Sequence, residues 1–224
     1  MNRTFIYYLA ITLVAVSCAR KEEVHLFVDG GPEVIYDFPI FSDSLCLACA
    51  QIGLKISTDP KFETLMVIVN NDTLQPYSLD HYCAYYQDSI TPECIQYNLQ
   101  IDSDVGTASA GCQMPEPFKI IKPRQPIAPN SDCELIWQKS KNAQMYTVWI
   151  YAFWGSCTVD TMLQTADTSI TISGDFLNGD YIEISISAIN GTKLDDEHGN
   201  VKGNAIGYWL GKLTVTEFID ILKN

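Results

Sequence analysis

From Val24 onward, apolar side chains recur with a period of two, the spacing of strands whose alternate residues face opposite ways. Ile52-Gly53-Leu54-Lys55-Ile56 alternates as a half-buried strand, and Ile95-Gln96-Tyr97-Asn98-Leu99-Gln100-Ile101 alternates cleanly. Leu65-Met66-Val67-Ile68-Val69 is a continuous apolar run that stops at Asn70-Asn71-Asp72. Asn and Asp tolerate positive φ, so this stop predicts a hairpin turn. Asp102 to Gly106 then turns the chain into Thr107-Ala108-Ser109-Ala110. Short strands at this spacing predict an all-β fold of two tandem antiparallel β-sandwiches, and no segment carries a long amphipathic helical period.

The same rule assigns faces in the C-terminal half. Leu135 and Trp137 share one face, Tyr146, Val148 and Ile150 share another, and Ile182, Ile184, Ile186 and Ala188 form an inward set. Trp149, Tyr151 and Phe153 must then point outward from one strand, and Trp154 continues the run. Three large aromatics on one outward face are a candidate contact patch, suited to sugar rings, to a protein, or to the other half of the chain. Thr216 to Asp220 fits either a last strand or a capped helical turn.

A proline-dense stretch, Pro115, Pro117, Pro123, Pro126 and Pro129, separates the halves. Proline stiffens an extended connection and marks edge strands. The boundary is therefore set at Pro117, with an Ig-like sandwich over 24–116 and a second sandwich over 117–224. The Trp of Cys133-Glu134-Leu135-Ile136-Trp137, the Tyr146-x-Val148-x-Ile150 pattern and Ala188-Ile189-Asn190-Gly191 fall in an order that resembles a fibronectin type III domain. The resemblance implies that these motifs lie on its second, third and sixth strands. Two features depart from it. The family's corner tyrosine belongs where Ile182 stands, with Tyr181 one position early, and the Thr192–Asn204 loop is longer and more acidic than usual.

The first eighteen residues carry a different pattern. Arg3 precedes an uncharged apolar run from Phe5 to Val16, shorter than the roughly 20 residues a spanning helix needs. Leu13-Val14-Ala15-Val16-Ser17-Cys18 resembles a bacterial lipobox. That resemblance implies a signal peptide over 1–17, cleavage before Cys18, and a lipid anchor on Cys18. Residues 18–23 then form an acylated tether. Lys21-Glu22-Glu23 fits a surface-export signal and a plain solvated tether equally well. The expected location is extracytoplasmic, lipid-anchored to a bacterial membrane, at the outer membrane or cell surface.

A net charge of −13 makes contact with nucleic acid or anionic headgroups repulsive, so no nucleic-acid partner is expected. With Cys18 acylated, seven of the eight cysteines remain, and an odd number leaves at least one thiol free. Cys83 and Cys94 flank a turn-like segment and make the first candidate disulfide. Cys46-Leu47-Ala48-Cys49 has the spacing of a redox dithiol or half a zinc site, but no matching pair or His-x-x-x-His follows. Asp195 to Asn200 gathers acids without the alternate spacing of a calcium loop, so neither metal nor cofactor is expected. Histidine is limited to His25, His81 and His198, and no nucleophile elbow, phosphate loop or His-Glu-x-x-His is present. The expectation is a non-catalytic, membrane-anchored lipoprotein that binds or scaffolds a protein or glycan. The alternative is an exported enzyme or thiol-redox protein that uses scattered acids or the Cys46/Cys49 dithiol.

Overall fold

The hairpin at Asn70-Asn71 forms as its sequence demands: both residues adopt positive φ (50° and 77°), and the strands either side pair in tight register. The computed structural model describes residues 26–37, 46–59, 61–80, 83–90, 95–124, 126–154, 157–191 and 199–222. The signal segment, Cys18, the tether, Cys94, the three histidines and the acids Asp195 to Glu197 lie outside these residues.

The described chain is all-β. Its N-terminal half contributes β1 (Leu26–Asp37), β2 (Cys46–Thr58), β3 (Leu65–Val69), β4 (Asp72–Thr73), β5 (Pro76–Leu79), β6 (Cys83–Ser89), β7 (Gln96–Ser103) and β8 (Gly106–Gln113). Next come β9 (Ile120–Lys122), β10 (Cys133–Trp137), β11 (Met145–Trp154), β12 (Cys157–Thr165) and β13 (Ser169–Ile172). The chain closes with β14 (Tyr181–Asn190), β15 (Lys202–Gly203), β16 (Ala205–Trp209) and β17 (Gly211–Asp220). The undecided Thr216–Asp220 segment is thus strand.

Three sheets result. A nine-stranded sheet runs β12-β11-β14-β17-β1-β2-β6-β5, with β16 added on β1. A five-stranded sheet, β15-β8-β7-β3-β4, and a three-stranded one, β13-β10-β9, provide the opposing layers. Alternation decides what each layer buries. Tyr97, Leu99 and Ile101 of β7 meet Val28, Leu54 and Ile56 of the large sheet in one apolar cluster. Leu135 and Trp137 of β10 meet Val148, Ile150, Ile182, Ile184 and Ile186 in another. Tyr146 closes the second cluster. Its ring packs edge-on against Trp137 and Phe118, and its hydroxyl accepts a bond from the Ser140 amide at 2.9 Å. Burial pushes its phenol pKa up.

The two halves are knitted more closely than a linker at Pro117 suggests. β1 pairs with β2 along its length, while its other edge serves β16 at Leu26–Gly30 and β17 at Glu33–Asp37, both parallel. Gly30 and Gly31 (φ 142° and 150°) stand where β1 changes partner, and a Cβ on Gly31 would lie 2.0 Å from the Leu210 carbonyl oxygen. Pro32 follows, at a junction where a missing N–H costs no ladder bond. Trp209, from the C-terminal half, is fully buried in the first cluster and donates its indole N–H to the Tyr97 carbonyl at 3.2 Å. Asn190 bridges the halves as well: its side-chain carbonyl accepts from the Gln113 amide and its NH2 donates to the Asn142 carbonyl.

Candidate ligand-binding face

The outward side of β11 is built by the alternation that builds the core. Tyr146, Val148, Ile150 and Ala152 are buried, which forces Thr147, Trp149, Tyr151 and Phe153 to the other surface of the large sheet. Trp149 is 40% exposed, and Tyr151 and Phe153 are half-buried. The Trp149 and Tyr151 rings lie 5.6 Å apart at 30°. Trp154 ends β11 with its side chain outside the described residues.

Register extends this row across neighbouring strands. Phe153 stands opposite Tyr181 of β14, and their rings stack at 4.5 Å with planes 16° apart. Glu183, opposite Tyr151, faces Phe218 of β17, whose ring lies 6.3 Å from that of Tyr181. On the other flank, Met162 of β12 stands opposite Trp149 and is 53% exposed. Phe218 and Tyr181 are exposed too. The face is therefore an aromatic surface across β11, β14 and β17, flanked by Met162 of β12. Its floor between the rings is polar but self-satisfied: Ser185 bonds Thr216 at 2.9 Å and Ser187 bonds Thr214 at 2.8 Å.

Alternation along β11 alone places Trp149, Tyr151 and Phe153 on the outward face, whereas Met162, Tyr181 and Phe218 join them from neighbouring strands. Their membership depends on which residue of one strand stands beside which of another, and no local pattern carries that. The departure noted at Tyr181 was the available clue. Displaced from the inward set held by Ile182, its ring turns outward onto Phe153. Among the described residues, the first half joins the same sheet edge-on, through β1 beside β17, and Trp149 keeps 40% of its surface exposed.

Chemically, the rings offer flat apolar surface. Asp160 and Glu183 flank Tyr151 from either side and Asp220 stands beside Tyr181, supplying carboxylate oxygens that accept hydroxyl hydrogen bonds. Two strands apart, Asp160 and Glu183 have Cα atoms about 9.6 Å from each other. They stand on an open face with the Tyr151 ring between them.

The cysteine expectations resolve differently. Cys83 is a free thiol, 3.7 Å from the Ser57 hydroxyl, so the bridge expected with Cys94 is not part of the described structure. Cys49 and Cys133 are free as well, and burial, aided by Glu134, holds the Cys133 thiol pKa up. Cys46 and Cys49 lie in β2. Among the described residues there is no group of three or more His, Cys, Asp or Glu placed to hold a metal, and no helix long and apolar enough to cross a membrane. Comparison with known proteins supplies no family: no family model matches the chain, nor does any curated protein.

Proposed function

We propose that this chain is a non-catalytic extracytoplasmic lipoprotein, anchored through Cys18, that binds glycans on the aromatic face of its large sheet. The observation that carries the reading is the exposed row Trp149, Tyr151, Phe153, Tyr181 and Phe218. Aromatic rings in water lose apolar hydration when a flat partner covers them, at roughly 25 cal/mol per Å². A sugar ring offers such a flat C–H face, and its hydroxyls suit the carboxylates alongside. A protein ligand is the competing occupant, since aromatic residues are also enriched at protein contacts.

The finer fold assignment belongs to the same proposal. The second half is read as fibronectin type III-like and the first as Ig-like. In support, a three-stranded sheet (β13-β10-β9) packs on the β11, β14 and β17 part of the run β12-β11-β14-β17, and the Trp, Tyr-x-Val-x-Ile and Ala-x-Asn-Gly motifs fall on the second, third and sixth strands of that half. The lipobox resemblance supports the anchor.

Two experiments test the reading. A glycan array probed with the full chain and with Trp149→Ala should show binding that the variant loses; binding only to protein baits would transfer the face to a protein partner. Cys18→Ser should release the chain from the membrane fraction and abolish acyl labelling. A variant still membrane-bound after a high-salt wash contradicts the anchor.

A further inference from the structure

Sheet edges carry unpaired backbone donors and acceptors, and folded chains protect them with short strands, prolines, bulges or charges. Most edges here follow that rule. β4 and β15 have two residues each, β13 has four, and β9 has three and runs into Pro123. β5 has four residues, begins at Pro76 and carries a register shift. β16 is covered by its own approach segment, through the Gly199–Gly207 bridge and the Asn200 amide on the Gly207 carbonyl.

β12 breaks the rule. It is nine residues long, pairs with β11 through nine uninterrupted positions, and terminates the large sheet among the described residues. Its sequence, CTVDTMLQT, contains no proline, lysine or arginine and one charge, Asp160. It also outruns the layer beneath. Val159 and Leu163 point to the core side and stand opposite Ala152 and Val148, which are fully buried, yet they are 37% and 42% exposed. The core-side surface of this strand therefore waits for cover that the three-stranded sheet does not provide.

We propose that β12 pairs antiparallel with β12 of a second copy, joining two large sheets into one across a two-fold axis at Thr161. The sequence selects the occupant and its register. A two-fold axis normal to the sheet sets each residue against one on the same face, so only even shifts are allowed. Centring on Thr161 uses all nine residues. Val159 then meets Leu163 of the second copy on the core side, and Asp160 meets Met162 on the outer side. Centring one position earlier would put Asp160 against Asp160, a like-charge pair that sheets disfavour. The chosen register also sets the two aromatic faces side by side on one continuous surface, with Met162 of each copy at the seam. The pairing itself does not depend on what that face binds.

Sedimentation equilibrium on the full chain carrying Cys18→Ser, so that no acyl group drives association, tests this directly. The measurement belongs at about 0.15 M ionic strength, where exposed charges are screened beyond about 8 Å. The expected species is a dimer, and Thr161→Lys, which sets two cations against each other on the axis, should raise its dissociation constant at least about tenfold. A second variant, Thr161→Cys, should form a disulfide under mild oxidation between the thiols introduced at this position in the two copies, located by peptide mass spectrometry. Opposed residues in a ladder lie within reach of such a bond. A monomer at all concentrations, a dimer indifferent to Thr161→Lys, or the absence of that cross-link would each overturn the proposal. If Thr161→Lys fails to fold, the Thr161→Cys variant decides alone.

Discussion

Trp137 and Trp149 carry the same side chain into opposite surroundings. Trp137 is 1% exposed between the layers of the second cluster, whereas Trp149 keeps 40% of its surface in water. Truncating the first should cost about 3–5 kcal/mol, the range for core aromatics, and truncating the second about 1 kcal/mol or less. Urea unfolding of the full chain with each alanine variant measures both. A loss of about 3 kcal/mol or more for Trp149→Ala would mean that the face is part of the core. Glu217 supports a second residue-scale prediction. It points to the core side of β17, opposite Ile184, where burial pushes its carboxyl pKa up to about 7 against the opposing pull of Arg124. Its folded pKa lies above its unfolded value, so the native state holds the proton more tightly. Its contribution is fully present below about pH 4.5 and is lost as pH rises towards 7. The group is only part-buried, so solvent screening reduces the effect to on the order of 1 kcal/mol. Glu217→Gln should flatten the stability profile across that window; an unchanged slope assigns it to other groups.

At the scale of elements, what the sequence displayed was local. The β7 alternation, the Asn70-Asn71 turn and the two faces of β11 are all set by neighbours within a few residues, where period and turn chemistry act directly. β12 escaped because its core-side positions are half-empty. Val159, Thr161 and Leu163 interleave with Asp160 and Met162 without the contrast that full burial imposes. The partner exchange along β1 also escaped, since a parallel pairing between the first and last strands is set by residues remote in the chain. Gly30-Gly31-Pro32 is its trace in the sequence, intelligible only once Leu210 is seen against Gly31. Gly31→Ala should therefore cost on the order of 2–3 kcal/mol, combining a disfavoured φ with collision against backbone that cannot give way. Thermal unfolding of this variant checks the value, and a change under about 1 kcal/mol would contradict the close approach.

Over the whole molecule, two apolar clusters share one sheet, and the C-terminal half lends Trp209 to the N-terminal cluster. Shared burial of this kind couples the halves, so the full chain should unfold in one transition by tryptophan fluorescence and by far-UV circular dichroism. Trp209→Ala should lower that single midpoint rather than split it, and two resolved transitions would show that the halves are energetically separate. Trp209 could not be placed from the sequence because its partners, such as Tyr97, are remote in the chain. The central claim is that the outward aromatic face binds ligand through ring stacking. Titrating the full chain with soluble cello-, malto- and chito-oligosaccharides, followed by tryptophan emission and repeated with Trp149→Ala and Phe218→Ala, tests it most directly. The account predicts saturable binding to at least one series, weakened about tenfold or more by Trp149→Ala while the fold is retained. Absence of binding across all three series, or binding that both substitutions leave unchanged, would contradict it.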